Sequence, residues 1–186
     1  MDIPNALGAA ACAEMRAEMR AAGGDPATVS GGRYHRSVAP EVRRTTRAAV
    51  PPATCECVER LLTARKDAIE RHFALTLTDC EEPHFLHYRV GDFFVAHQDN
   101  TPLARDATGS RKISAVIFLN AQSDAPLPDT YGGGSLVLHG PDSRRPLRVP
   151  LAPAPGTLVA FRAETTHEVT PVTRGERFTI VSWYWG

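Results

Sequence analysis

From residue 84 onward the chain is a succession of short apolar runs separated by turn residues, and this pattern constrains the fold more than any other feature. Glycine, proline and aspartate punctuate the runs, as in Gly140-Pro141-Asp142 and Ala154-Pro155-Gly156, and favour tight turns. Many short strands joined by turns are typical of an antiparallel sandwich or barrel. The runs predicted to be strands are 84–90, 93–97, 112–119, 135–138, 146–150, 157–161, 167–172 and 176–185.

The N-terminal part has a helical pattern instead. Residues 7–22 are rich in alanine, methionine, glutamate and arginine, and Gly23-Gly24 ends the run. Residues 53–74 carry apolar side chains at helical spacings, which predicts an amphipathic helix. The intervening residues 25–50 indicate loops with short strands.

Helices followed by many strands indicate an α+β protein, and the length of 186 residues fits one domain. We therefore expect 1–186 to form a single domain, in which a helical segment at about 1–80 supports a β core at about 84–185.

The charge balance argues against a nucleic-acid partner. Lys+Arg and Asp+Glu both number 21, whereas nucleic-acid binders normally carry a basic excess. No run approaches the roughly 18 apolar residues of a membrane span, and the N-terminus lacks a signal-peptide pattern. We expect a cytoplasmic protein with free thiols and with neither a nucleic-acid nor a membrane partner. The sequence leaves the oligomeric state open.

Two histidines and an aspartate form a candidate metal site: His97 and Asp99, two positions apart, and His167 much later in the chain. A strand continuing through His97 and Asp99 would direct both side chains to one face. Two imidazoles and one carboxylate are the ligand set that holds non-haem Fe(II) and leaves coordination positions open. His-x-Asp alone is a weak signal, because it also arises by chance.

Arg177 is a candidate anion-binding residue inside an apolar run. We expect 167–172 and 176–183 to form a hairpin, which places Arg177 on the strand beside the one carrying His167, with Thr179 on the same face. A buried arginine requires an anion, and its planar guanidinium binds a carboxylate through two hydrogen bonds. Oxygenases of this ligand type take two electrons from a 2-oxo acid, whose second carboxylate suits Arg177 and Thr179.

Several motifs, in order and spacing, resemble the Fe(II)/2-oxoglutarate dioxygenase superfamily, and specifically its prolyl 4-hydroxylase-like branch. The resemblance covers roughly residues 84–185. Arg177 stands where many animal and plant prolyl hydroxylases have lysine, and Phe94 where the family often has tyrosine. The matching motifs are Tyr88 and Gly91 before His97, the run Ile113 to Asn120, Gly133-Gly134-Ser135-Leu136, the run Pro155 to Phe161, and the closing set His167, Gly175, Arg177 and Trp183.

The resemblance implies a double-stranded β-helix, or jelly roll, with the N-terminal helices packed on one sheet. It implies that His97, Asp99 and His167 hold Fe(II) and that Tyr88 joins Arg177 and Thr179 in binding 2-oxoglutarate. Dioxygen would be the third reactant, with ascorbate as a stimulant. The implied reaction is hydroxylation of an unactivated C–H bond in a small molecule, amino acid or peptidyl side chain. Related halogenases lack the carboxylate that Asp99 supplies.

Two alternative hypotheses about the function stay open. One is a cupin-like jelly-roll metal-binding protein without oxygenase activity, and the other is an interaction domain that has lost the chemistry. For the substrate, the arginines of 43–47 together with Arg105, Arg111 and Lys112 form a candidate surface for an acidic group. The segment 99–111 reads as a loop and is a candidate lid over the site.

Overall fold

The structure is a computed structural model that describes residues 1–31, 34–100, 107–141 and 147–186. The helices of this part are α1 (Ala9–Ala22), α2 (Pro52–Phe73) and a 3-10 turn at Ala107–Ser110. The strands are β1 (Asp2–Ile3), β2 (Gly24–Pro26), β3 (Val29–Gly31), β4 (Tyr34–Ser37), β5 (Arg43–Arg44), β6 (Thr46–Ala48), β7 (His84–Tyr88), β8 (Phe93–His97), β9 (Arg111–Phe118), β10 (Gly132–Gly133), β11 (Leu136–His139), β12 (Arg148–Leu151), β13 (Leu158–Arg162), β14 (His167–Val169), β15 (Val172–Arg174) and β16 (Arg177–Trp185).

Two antiparallel sheets form the body of the protein. The larger sheet has the strand order β1-β13-β9-β16-β7-β6-β2, and the smaller has the order β12-β11-β14-β8-β5. Their inner faces meet in an apolar layer, where Val116 and Phe118 of the larger sheet join Leu136 of the smaller one. This arrangement confirms the predicted double-stranded β-helix.

Both helices cover the outer face of the larger sheet. Met15 and Met19 of α1 and Leu62 of α2 belong to one buried cluster with Phe178 and Ile180 of β16. Because side chains alternate along a strand, the even-numbered residues of β16 face the helices and leave the odd-numbered ones for the interior between the sheets. The helical layer therefore fixes which side chains of β16 reach the site. Among the described residues, neither helix has the length and apolar composition of a membrane span.

The predicted hairpin between 167–172 and 176–183 is wrong. The strand carrying His167 ends at Val169 and lies in the smaller sheet, whereas β16 lies in the larger sheet between β9 and β7. Pro171 has no N–H with which to continue a ladder, and the chain crosses between the sheets through β15, which pairs with β10 instead. Arg177 therefore lies on the sheet opposite His167.

The other predicted boundaries agree with the structure to within about two residues. The helices predicted at 7–22 and 53–74 correspond to α1 and α2, and the region 25–50 contains five short strands. Asp142 of one predicted turn and Pro146 of one predicted strand lie outside the described residues.

Candidate active site

A cavity of about 520 Å³ opens between the two sheets. The odd-numbered residues of β16, from Arg177 to Trp185, line it from the larger sheet. His167 and Leu136 line it from the smaller sheet, together with His97 at the end of β8. The predicted metal ligands and the predicted anion-binding arginine thus share one cavity, although they come from opposite sheets.

The donor atoms of His97, Asp99 and His167 all lie within 4.8 Å of one another. His97 Nε2 is 3.5 Å from Asp99 Oδ1, and His167 Nε2 is 3.4 Å from Asp99 Oδ2. The two histidines are directly paired across β8 and β14, with ring centroids 4.2 Å apart. Three donors that converge in this way on one point from separate segments can hold a divalent metal ion.

Hydrogen bonds orient both imidazoles toward that point. His97 Nδ1 donates to the Val95 carbonyl at 2.8 Å, and His167 Nδ1 donates to the Thr165 carbonyl at 2.9 Å. Because Nδ1 carries the proton in each ring, Nε2 presents a lone pair to the centre of the cluster. Burial lowers the pKa of the His167 imidazole despite the Asp99 carboxylate beside it.

Strand alternation does not explain how the Asp99 side chain comes to lie in the donor cluster. The strand β8 ends at His97, and the next turn is held by Ala163, whose carbonyl accepts from the Asp99 and Asn100 amides at 2.9 and 3.1 Å. Gln98 donates to the Glu164 carbonyl at 2.7 Å, which ties the same turn to the segment before His167. The two ligand-bearing segments are therefore held together by their own backbone.

The Asp99 carboxylate is kept ionised. Burial acts to raise the pKa of this carboxyl, but the His167 and His97 rings and the Ser114 hydroxyl outweigh it and hold the pKa well below its usual range. Ser114 Oγ donates to Asp99 Oδ2 at 2.6 Å. Ser114 belongs to β9 of the larger sheet, so this bond also links the metal cluster to the sheet carrying Arg177. Sequence reasoning gave Ser114 no role.

Arg177 is a buried cation with no anionic partner among the described residues. It is only 1% exposed, and its one hydrogen bond within the described part of the protein goes from Nη1 to Thr179 Oγ1 at 3.1 Å. Its Nε is buried without any partner. Tyr88 lies opposite it across β7 and β16, with the guanidinium carbon 4.9 Å from the ring centroid. Arg177, Thr179 and Tyr88 thus lie together, and the guanidinium edge that has no partner among the described residues is suited to bind a carboxylate.

Two residues that sequence reasoning left without a role shape the space around Arg177. Tyr131 is fully buried, its ring centroid lies 5.9 Å from the guanidinium carbon, and its hydroxyl has no partner in the described structure. Gly134 has φ +59°, and a Cβ there would lie 3.1 Å from Arg177 Cδ and 2.9 Å from Val172 Cγ2. In the sequence, the Gly133-Gly134 pair was the signal that could have predicted this close approach of the backbone to the Arg177 side chain.

We expect Gly134→Ala to weaken 2-oxoglutarate binding while sparing the metal ligands. The methyl group would push the Arg177 stem and also impose strain at a positive φ, at a cost of about 1–3 kcal/mol. The measurement is the 2-oxoglutarate concentration that half-saturates the protein, beside the affinity for Fe(II). Gly8→Ala is the matched control, because a Cβ there meets nothing within 4 Å. An unchanged 2-oxoglutarate requirement in a folded Gly134→Ala protein would contradict this assignment.

The predicted acidic-substrate surface is only partly formed. Arg43, Arg47 and Arg111 line the cavity, whereas Arg44 and Lys112 are not among its described lining residues. Arg105 lies outside the described residues, as do 101–106 of the predicted lid. Thr108 of the following 3-10 turn does line the cavity, so the end of that loop borders the site.

A two-histidine, one-carboxylate cluster facing a buried arginine inside a jelly roll is the arrangement of a non-haem iron oxygenase. Residues 83–185 match the family model described as the 2OG-Fe(II) oxygenase superfamily. The chain belongs to this superfamily, whose co-factors are Fe(II) and 2-oxoglutarate with dioxygen.

Curated relatives of this chain include PKHD-type hydroxylases. One from Gluconacetobacter diazotrophicus is 37% identical over 106 residues, which are 55% of this chain and 41% of the relative. Another from Burkholderia lata is 34% identical over 129 residues, which are 66% of this chain and 52% of the relative. The chain therefore spans about half the length of these relatives or less.

Solved structures with the same fold include prolyl hydroxylases. A Pseudomonas putida prolyl-4-hydroxylase has a TM-score of 0.75 and 26% sequence identity, covering 100% of this chain and 92% of that one. A Trichoplax adhaerens prolyl hydroxylase in complex with a hypoxia inducible factor peptide fragment has a TM-score of 0.70 and 20% identity, covering 100% and 82%. The second likeness concerns the fold alone.

Proposed function

We propose that this protein is a 2-oxoglutarate-dependent hydroxylase that inserts one oxygen atom into an unactivated C–H bond of a small molecule, amino acid or peptidyl side chain. The balanced reaction converts substrate, 2-oxoglutarate and dioxygen into hydroxylated substrate, succinate and carbon dioxide. One oxygen atom of dioxygen enters the substrate and the other enters succinate. The whole of residues 1–186 would act as one dioxygenase domain, with 1–80 supporting the core.

The proposal rests above all on Arg177, which is buried without a carboxylate partner in the described structure and shares one cavity with the three convergent donors. A guanidinium held in an apolar interior without an anion costs several kcal/mol, and a bound carboxylate removes that cost. 2-Oxoglutarate has one end that chelates a metal and a carboxylate at the other end. It therefore matches both halves of the cavity at once.

The donor set fits a ferrous ion. His97, His167 and Asp99 provide two neutral nitrogens and one anionic oxygen, the combination typical of non-haem Fe(II) sites with open positions. A bound ferrous ion supplies the activation of dioxygen that is coupled to 2-oxoglutarate decarboxylation. Ser114 keeps the Asp99 carboxylate oriented, and the carbonyls of Val95 and Thr165 fix the imidazole tautomers.

The chain's own residues have distinct tasks toward the co-substrate. Arg177 binds its distal carboxylate through paired N–H donors, and Thr179 adds a hydroxyl on the same face. Tyr88, which lies across the strand pair from Arg177, is suited to donate a further hydrogen bond. Asp99 keeps the third ligand position occupied, which favours hydroxylation over the halogenation of related enzymes that lack this carboxylate.

The test is anaerobic addition of Fe(II) and 2-oxoglutarate to the purified chain. We expect a weak metal-to-ligand charge-transfer band in the visible, because the 2-oxo acid chelates the iron. Glutarate, which lacks the 2-oxo group, is the matched control and is expected to give no band. In air, the loaded protein is expected to release succinate, and mass analysis of a screened substrate should show a gain of one oxygen.

A cupin-like metal-binding protein would respond differently. Such a protein would bind Fe(II) without the charge-transfer band and would release no succinate, and that result would overturn the proposal. An interaction domain that had lost the chemistry would fail both in iron binding and in turnover. The three readings are therefore separated by one titration followed by one assay.

A further inference from the structure

Arg43 is a second buried arginine in the cavity, and it comes from the smaller sheet. It is 9% exposed, it lines the cavity, and its Nε is buried without a partner. Its hydrogen bond within the described structure goes from Nη1 to the Thr28 carbonyl at 3.2 Å, so no described carboxylate balances its positive charge. Buried arginines normally have an acidic partner, so this one requires an explanation.

Arg43 is held next to the candidate metal site by a stack of three groups. Its guanidinium carbon lies 4.6 Å from the centroid of the Phe94 ring, and Phe94 stacks on His97 with centroids 3.5 Å apart and an interplanar angle of 18°. Arg43 and Phe94 are register partners across β5 and β8. The guanidinium therefore lies no farther from the His97 imidazole than these two stacking distances combined.

Two other cavity-lining arginines are paired with glutamates. Arg111 makes a two-pronged contact with Glu81, at 2.5 and 2.6 Å, and its guanidinium covers the Trp183 ring. Arg47 donates to Glu82 at 3.1 Å. Neither has a charge left to balance. Of the cavity-lining arginines in the described part of the chain, only Arg43 and Arg177 lack a carboxylate.

This inference rests on the proposed function. When Fe(II) and 2-oxoglutarate are bound, the sum of the charges in the cavity also points to Arg43. The two positive charges of Fe(II) and the one of Arg177 are matched by Asp99 and the two carboxylates of 2-oxoglutarate. Glu81 and Glu82 are matched by Arg111 and Arg47. Among the lining residues that the structure describes, one positive charge, on Arg43, remains. Because the group that approaches it must lie near the iron and is not the co-substrate, it belongs to the substrate.

We propose that Arg43 binds a carboxylate of the substrate, so that the enzyme selects substrates with a monoanionic group next to the C–H bond it oxidises. A single unmatched charge suits a carboxylate better than a phosphate dianion, and the planar guanidinium offers the paired donors that a carboxylate prefers. Phe94 holds the guanidinium flat and supplies an apolar wall beside it. Arg43 is on this view a specificity-determining residue of the substrate pocket.

The experiment compares acids with their neutral amides. Fe(II)- and 2-oxoglutarate-loaded protein is titrated anaerobically with L-amino acids, N-acetyl amino acids and the corresponding carboxamides. Binding is read from the emission of Trp183 and Trp185, the chain's two tryptophans, which both line the cavity. In air, the same panel is tested for stimulation of succinate release. We expect acids to bind and stimulate, and their amides to bind roughly 10- to 100-fold more weakly.

Arg43→Met is expected to erase that preference by lowering acid affinity roughly 10- to 100-fold, with little effect on the amides. Arg43→Lys keeps the charge and should retain part of the preference, which distinguishes lost recognition from a damaged pocket. Arg44→Met is the matched control, because Arg44 is exposed and its guanidinium lies over Phe93 instead. The control is expected to behave as the wild-type protein does.

The outcomes separate this inference from the proposed function. A wild-type protein that gives the charge-transfer band but binds acids and amides equally, or binds no acid of the panel, overturns the role of Arg43 alone. An Arg43→Met protein with wild-type acid affinity does the same. A wild-type protein with neither band nor succinate overturns the proposed function itself.

Discussion

Replacing Arg177 with methionine is expected to raise the KM for 2-oxoglutarate by roughly 100- to 1,000-fold, the effect of removing one partner of a buried charge pair. Iron binding should persist, because no metal ligand contacts the Arg177 side chain in the described structure. The unbranched methionine retains most of the apolar stem that packs near Phe118 and Tyr131. The measurements are succinate release against 2-oxoglutarate concentration and an anaerobic Fe(II) titration.

The stability of the Arg177→Met protein provides a second, independent readout. A structural arginine in an ion pair would cost about 3–5 kcal/mol when removed, because its partner would be left buried and charged. Arg177 has no such partner in the described structure, so its loss removes a buried charge without an anion and a single hydrogen bond to the neutral Thr179 hydroxyl. We therefore expect the unfolding free energy without ligands, measured in urea, to stay equal or to rise.

Arg174→Met is the control for this pair of measurements. Arg174 lies three residues earlier and is bound to the carbonyls of Ser123 and Ala125, outside the cavity. Its replacement should leave the 2-oxoglutarate requirement unchanged. Normal turnover by Arg177→Met at low 2-oxoglutarate would show that the carboxylate binds elsewhere.

The candidate metal ligands were the part of the site that the sequence could identify. His97, Asp99 and His167 are chemically distinctive, and their ligand set has few other uses in a chain without further zinc-type motifs. Their convergence did not depend on the predicted strand geometry, because β8 ends at His97 and Asp99 is held by the Ala163 carbonyl instead. The residue types therefore predicted the candidate metal site better than the assumed strand through His97 and Asp99 did.

The sequence could not predict that Arg177 and His167 lie on opposite sheets. Apolar runs separated by a short turn favour a hairpin by default, and the sequence pattern does not say which sheet each strand joins. Pro171 was the local signal against a continuous ladder, but the pairing of β15 with β10 depends on Gly132 and Gly133, far from it in sequence. Long-range pairing of this kind is determined by the packing of the whole core. The positions of Ser114 and Tyr131 in the site could not be predicted from the sequence for the same reason.

His167→Ala is expected to abolish turnover and to weaken Fe(II) binding by more than the roughly 10- to 100-fold loss typical of removing a residue that only orients a ligand. His167 is 5% exposed and its Nε2 lies 3.4 Å from Asp99 Oδ2, so its replacement by alanine removes one of the three convergent donors. His97→Ala should have the same effect. The measurement is an anaerobic Fe(II) titration, followed by succinate release at saturating iron.

His139→Ala separates the loss of a ligand from general damage to the smaller sheet. His139 lies on β11, beside the strand that carries His167, but its Nε2 is 3.3 Å from Glu168 Oε1 and it does not belong to the donor cluster. This variant should keep its iron and its activity. If His167→Ala bound Fe(II) as tightly as His139→Ala does, the ferrous ion would have to be held by other groups, and both the co-substrate position and the role of Arg43 would need to be reassigned.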